Sequence, residues 1–153
     1  MAKKVKKIAG KIVKRKPPVK PAVEVVKKAL VVYYSETGNT EKIAKAIAEG
    51  LGTAARKVGE GDVEFVVIGT PVHGGKPVEQ VMDFIKKTKA KRAAVFCTCA
   101  ENPRDTSNIM EGELRKRNIE VVGKLDIKVG KNPPVEEHLR QGNEFGKSLL
   151  SRI

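Results

Sequence analysis

Cysteine is almost missing from this chain: Cys97 and Cys99 are the only two among 153 residues. A single pair cannot build a disulfide scaffold, so the chain reads as an intracellular, cytoplasmic protein of a reducing compartment. Long apolar runs are missing too. None approaches the roughly 20 residues a bilayer span needs, and no apolar h-region follows the basic start, which points to a soluble protein. There is no G-x-x-x-x-G-K-[ST], which argues against a nucleotide triphosphatase. There is also no G-x-G-x-x-G after the first apolar run, which removes the dinucleotide fingerprint. The two histidines and two cysteines never meet at ligand spacing, so no metal centre is expected.

What the chain does carry is positive charge, +13 overall. Its distribution decides what it means. Residues 1–28 hold eleven Lys and Arg against the single acid Glu24, a net charge of +10, whereas residues 29–153 hold twenty against seventeen acids, a net +3. The basicity therefore belongs to an N-terminal arm, and the domain at 29–153 is nearly balanced. Within the arm, Val5, Ile8, Ile12 and Val13 recur at helical spacing among lysines, the pattern of a basic amphipathic helix on an anionic surface. "KPPVKPAVE" follows as an extended, proline-rich linker. By composition the arm is a disordered, solvated segment. Its functional alternative is an electrostatic contact with an anionic partner: nucleic acid, acidic lipid or an acidic protein. It contains no aromatic residue, which weakens the single-strand nucleic-acid version.

From Ala29 onward strands and helices alternate. "ALVVYY" is a continuous apolar run of the kind buried on both faces of a parallel sheet. Ile43, Ala44, Ile47, Ala48 and Leu51 keep one face of a helix that Gly50 and Gly52 stop. "VEFVVIG" is a second buried strand, followed by a helix beginning at Pro77 with Val78, Val81, Met82 and Ile85 on its apolar face. "AAVFCT" is the third buried strand, and a helix spans about Thr106 to Arg117. "IEVVGKLDIKV" alternates instead, with Glu120, Lys124, Asp126 and Lys128 outward, as in an edge strand. A last helix runs from about Val135 to Leu150. Strands and helices alternating without hairpin signals define an open, doubly wound α/β sheet.

In such a sheet, ligands sit outside the carboxyl ends of the strands, where strand order reverses. The loops that follow the three buried strands are "SETGNT" (35–40), "TPVHGGKP" (70–77) and "TCAENPRDTSN" (98–108). In the first, a helix N-terminus offers unpaired N–H groups and a partial positive charge. The hydroxyls of Ser35, Thr37 and Thr40 and the Asn39 amide add donors, and Gly38 lets the backbone come close. That is a phosphate cradle working by convergent hydrogen bonds, with no Lys or Arg among its six residues. An ordinary N-cap with spare polar residues explains the same six equally well when they are taken alone.

At these residues the chain resembles the flavodoxin family. The family's phosphate loop reads [ST]-x-T-G-x-T directly after the first strand, and Ser35-Glu36-Thr37-Gly38-Asn39-Thr40 matches every fixed position. "FVVIGTPVHGGKP" resembles the strand and glycine-bearing loop that lie against the flavin ring, and "VFCTCAENP" resembles the loop that completes the ring pocket. The three matches together cover residues 29 to about 129. The resemblance implies a flavodoxin-like, three-layer αβα sandwich with bound FMN. Its phosphate would sit on residues 35–40, and its ring would lie between Pro71, Val72, His73, Gly74, Gly75 and Lys76 on one side and Thr98, Cys99, Ala100, Glu101 and Asn102 on the other. Two glycines at 74 and 75 let backbone groups approach flavin N5, and a peptide flip there would respond to the ring's redox state. Lys76 would favour an anionic reduced flavin by proximity. An exposed histidine without a defined role is the commoner alternative for His73, and a solvated lysine for Lys76. Cys97 and Cys99 point to one face of their strand. Cys97 reads as core, and Cys99 at the strand end as core packing or a reactive thiol beside the flavin.

The chain departs from the family in two places. Neither ring loop carries Trp, Tyr or Phe, so the aromatic sandwich of many flavodoxins is missing and stacking is weaker. Only "GTAARKVGEGD" separates the first helix from the strand beginning at Val63, too little for a strand and a crossover helix. The expectation is a four-stranded sheet lacking the family's second strand, or a stub near Ala54 to Val58. The resemblance implies an electron carrier between redox partner proteins, with no catalytic residue assigned. A flavin-dependent reductase of nicotinamide or quinone is the alternative enzyme, and a flavin-free binding module acting through the arm is the alternative from another class.

Overall fold

Three strands of near-continuous apolar sequence, one alternating strand and one short polar strand build a single sheet in the computed structural model, which describes residues 29–59 and 63–152. The elements are β1 (Ala29–Tyr33), α1 (Asn39–Leu51), β2 (Ala55–Lys57), β3 (Phe65–Pro71), α2 (Glu79–Lys87), β4 (Arg92–Cys99), α3 (Thr106–Lys116), β5 (Glu120–Lys128) and α4 (Glu136–Leu149), with a 3₁₀ turn at Leu150–Arg152. Every strand pair is parallel, in the order β2-β1-β3-β4-β5. This is the doubly wound, flavodoxin-like order, and it reverses between β1 and β3. The basic arm, the linker and the domain boundary at residue 28 lie outside the described residues.

Alternation along the central strands divides the core between the two faces of the sheet. Val31, Tyr33, Val67, Ala94 and Phe96 face α1 and α4 and meet Ile43, Ile47, Leu51 and Leu149. Leu30, Val32, Val66, Ile68 and Val95 face α2 and α3 and meet Val81, Ile85, Met110 and Leu114. Each fully buried aliphatic side chain contributes about 1.5–3 kcal/mol, so both layers are needed to hold the sheet. The α1–α4 contact is closer than side chains would allow. A Cβ placed at Gly50 would fall on the Asn143 carbonyl oxygen, and one at Gly146 on the Ile47 carbonyl oxygen. The two helices thus meet backbone to backbone, which settles how α1 is seated.

The stub expected near Ala54 to Val58 is present as β2, so the sheet has five strands and not four. It is held by Val31 N–H to Ala54 O at 3.1 Å, Val58 N–H to Tyr33 O at 2.8 Å, and the Thr53 hydroxyl donating to Ala29 O at 2.7 Å. Residues 58–64 lead from β2 across to β3, and their described members form no helix. Several boundaries differ from the sequence expectation: Gly50 lies inside the first helix, which Gly52 alone stops, and β3 begins at Phe65 and not at Val63. α2 begins at Glu79 with Val78 as its extended N-cap, because Val78 N–H is taken by the Thr70 hydroxyl at 3.1 Å. β3 runs on to Pro71, where parallel pairing with Thr98 continues. No helix among the described residues is long and apolar enough to cross a membrane.

Candidate functional site

The carboxyl ends of β1, β3, β4 and β5 surround a cleft of about 440 Å³, inside the 300–1,000 Å³ range usual for small-molecule sites. Four chain segments line it: Glu36, Thr37, Asn39 and Thr40 from the start of α1, then Pro71 to His73, Thr98 to Ala100, and Val129 to Lys131 with Pro133. Ten of these were picked out in the sequence. The segment after β5 was not, because its strand reads as an edge and its loop carries no recognised motif; the Gly130 and Pro133-Pro134 punctuation was the available signal.

The segment at residues 35–40 is internally braced. Gly38 N–H donates to the Ser35 hydroxyl at 3.0 Å, and Gly38 itself, at φ 95°, is the N-cap of α1. Ser35 therefore shapes the loop and does not line the cleft. Thr40 is buried, and its hydroxyl lies 2.7 Å from that of Thr98, also buried. Each hydroxyl owns one proton, so one donates to the other and a single hydroxyl proton of the pair remains to be offered elsewhere. Thr98 lines the cleft and braces the first turn of α1 through this contact. Among the four cleft-lining residues of this segment, Thr37 and Asn39 retain side chains at the cleft with no partner of that strength. Asn39 Nδ2 reaches only the Asn132 carbonyl, at 3.4 Å.

Glu36, the acid within the cradle, is engaged by His73: Nε2 to Oε1 is 2.7 Å, with both side chains about half exposed. The contact joins the loops after β1 and β3 at the cleft and gives His73 a structural partner. Beyond His73, a two-residue turn closes through His73 N–H to Lys76 O at 2.9 Å and Lys76 N–H to His73 O at 3.0 Å. Gly74 at φ 61° and Gly75 at φ 77° supply the two left-handed positions such a turn requires. Gly74, Gly75 and Lys76 therefore form a projecting tip outside the cleft wall. Arg104, at φ 50°, lays its side chain over Gly75, and its own N–H is bound by Asn102 Oδ1 at 2.8 Å. Asn102 thus serves its own loop, and neither it nor Glu101 lines the cleft.

The end of β4 carries the two thiols, of which Cys99 lines the cleft. Cys97 donates to Asp126 Oδ1 at 3.0 Å, and Cys99 makes a long contact of 3.7 Å to Ile127 O. Burial first, then the Asp126 carboxylate, pushes the Cys97 thiol up. Burial and Asp126 likewise raise Cys99, with Lys128 opposing. A reactive thiol needs the opposite surroundings, which favours the packed reading of Cys99. Among the described residues, no group of three or more His, Cys, Asp or Glu could hold a metal ion.

A flavodoxin domain is matched over residues 30–142. The chain belongs to the flavodoxin family. Solved structures of similar fold include a flavodoxin from the Archaea, at 17% identity and TM-score 0.68, covering 81% of this chain and 96% of that one. Flavodoxin 1 from Bacillus cereus follows at 18% and 0.67, with 82% and 98% covered. The rubredoxin oxygen:oxidoreductase of Desulfovibrio gigas, at 16% and 0.66, is covered over 36% of its length against 82% of this chain. At such identities the likeness carries the fold. None of the curated proteins matches the chain.

Proposed function

We propose that the protein binds FMN in this cleft and carries electrons between redox partner proteins. The observation that supports it is the juxtaposition, at the reversal of strand order, of a preformed helix N-terminus bearing free polar side chains with a less polar wall from Pro71, Val72, Cys99 and Ala100. The polar end suits a phosphate, because N–H groups and a partial positive charge converge there. Thr37, Asn39 and the Thr40–Thr98 hydroxyl pair would hold the phosphate. Pro71 to His73 and Thr98 to Ala100 would flank the ring, with the 73–76 turn and Arg104 at its exposed edge. Gly38 and Ser35 shape the cradle from behind, and Glu101 and Asn102 act through the loop that carries Arg104. When bound, FMN supplies the electron chemistry; the chain supplies orientation and the charges nearby.

Family membership favours a carrier over a flavin-free module, and one relative of shared fold is by its name an oxidoreductase of rubredoxin and oxygen. The free thiols suit a reducing, cytoplasmic setting. The basic arm would add an electrostatic contact to an acidic partner surface. The test is the visible spectrum of the protein after saturation with FMN and removal of free flavin, for the unmutated chain and for Thr37→Ala. Flavin bands that stay with the protein and fade in Thr37→Ala are the expected result. A colourless protein would sink the proposal and return attention to the arm. Added NADH or NADPH should leave bound flavin oxidised unless a partner reductase is present; direct bleaching would turn the carrier into a reductase.

A further inference from the structure

We infer that the loop after β5 is part of the ligand site and that Lys131 supplies the cation for the ligand's phosphate that residues 35–40 lack. The inference rests on the FMN reading above. Parallel pairing of β4 and β5 continues one residue past the strand, with Val129 N–H donating to Cys99 O at 2.9 Å, so the loop leaves the sheet at the floor of the cleft. The next residues then turn back over the start of α1, where the Asn132 carbonyl meets the Asn39 amide at 3.4 Å. Lys131, the residue before Asn132, lines the cleft and is thereby placed at the cradle's end of it.

Charge makes this lysine useful. Three residues of the cleft wall can carry charge: Glu36, His73 and Lys131. Glu36 and His73 engage each other. Among the described residues no carboxylate is within ion-pair distance of Lys131. A phosphate monoester brings a charge between about −1.5 and −2 at neutral pH. The cradle meets it with hydrogen bonds and a helix end worth roughly half a charge, and it also contains the Glu36 carboxylate, which repels it. An ammonium group on a flexible stem offsets that repulsion without disturbing the packed loop, because Lys131 is exposed and free to turn inward. The loop thus acts as a phosphate-selective wall, discriminating a phosphorylated flavin from one without phosphate.

Flavin fluorescence titrations with FMN and with riboflavin, at low and high salt, test this on the unmutated protein, Lys131→Met and Lys131→Arg. In Lys131→Met, FMN binding should weaken by roughly tenfold, as one charge-assisted contact allows. Riboflavin binding should not change, and the salt dependence of FMN binding should flatten. Lys131→Arg should keep most of the affinity. Equal FMN affinity in Lys131→Met and the unmutated chain, or an equal loss for both flavins, would overturn the role given to Lys131 while leaving FMN as the ligand. If the unmutated protein bound no FMN, the FMN reading would fall and this inference with it.

Discussion

The two ends of the cleft are built in different ways. At the α1 end, Ser35 closes the loop onto Gly38, the hydroxyls of Thr40 and Thr98 meet at 2.7 Å in the interior, and α1 itself rests backbone to backbone on α4. At the other end, a two-glycine turn projects from His73 to Lys76, and an exposed arginine in a left-handed conformation lies over it. The first end is held by packing and buried hydrogen bonds before any ligand arrives. The second is held by local turn geometry that costs little to rearrange. On the proposed FMN reading, a site so divided would fix where the phosphate goes and leave the ring's surroundings adjustable, the division an electron carrier needs: affinity from a preorganised anchor and potential from a responsive edge.

The most damaging way to break this contrast is to push α1 off α4. In Gly146→Ala the new methyl meets the Ile47 carbonyl and lies 3.0 Å from Leu51 N, so the helices must separate. Overpacking of this kind costs about 1–3 kcal/mol, and the urea midpoint should fall accordingly. Because the start of α1 moves with it, FMN affinity should fall too. Affinity that stayed intact would mean the cradle does not depend on the helix seat.

An effect of similar or smaller size should follow from Thr98→Val, which leaves the Thr40 hydroxyl buried without its partner at a cost of about 1–3 kcal/mol. Thr98→Ser restores the partner and should recover most of the stability and of the FMN affinity. If valine and serine behaved alike, the buried pair would be irrelevant to the anchor. At the other end, Gly74→Ala strains a position at φ 61° with nothing within 4 Å of the added methyl. The loss should be about 1 kcal/mol, the lower end of what a left-handed L residue costs. Phosphate-end affinity should barely change, while the reduction potential of bound flavin should shift. A stability loss as large as that of Gly146→Ala would erase the distinction between the ends.

These two ends were not equally legible in the sequence. The apolar runs of β1, β3 and β4 announced a buried parallel sheet because each needs cover on both faces, and the helix faces followed from their period. The polar start of α1 at residues 35–40 was visible because the chemistry of a helix start restricts residue types. What stayed hidden was pairwise. No local pattern says that Thr98 stands behind Thr40, that Gly50 and Gly146 are the seats of a helix contact, or that Glu36 reaches His73, since each depends on segments brought together only by strand order. β2 escaped a firm reading for a related reason: three residues with one half-buried and two exposed side chains carry no hydrophobic signal, and their strand character comes from pairing with β1. The loop after β5 was passed over because exposure on one edge of its strand concealed that its end reaches the cleft.

The smallest effect concerns the floor between the two ends and decides which of them it belongs to. Cys97 and Cys99 are buried, and burial together with Asp126 raises both thiols. The native state therefore keeps these protons at alkaline pH after the unfolded chain, with thiols near 8.5, has released them. A native state that binds more protons loses stability as pH rises, so the contribution is complete below about pH 8.5 and declines above it, toward the raised native values. Stability measured by urea unfolding from pH 7 to 10 should fall more steeply in the unmutated protein than in Cys97→Ala. Alkylation of either thiol by iodoacetamide at pH 7.5 should be slow in the folded protein. Rapid alkylation of Cys99 alone would show that this floor opens with the glycine-turn end; slow alkylation of both, with the steeper alkaline loss, would tie it to the α1 end.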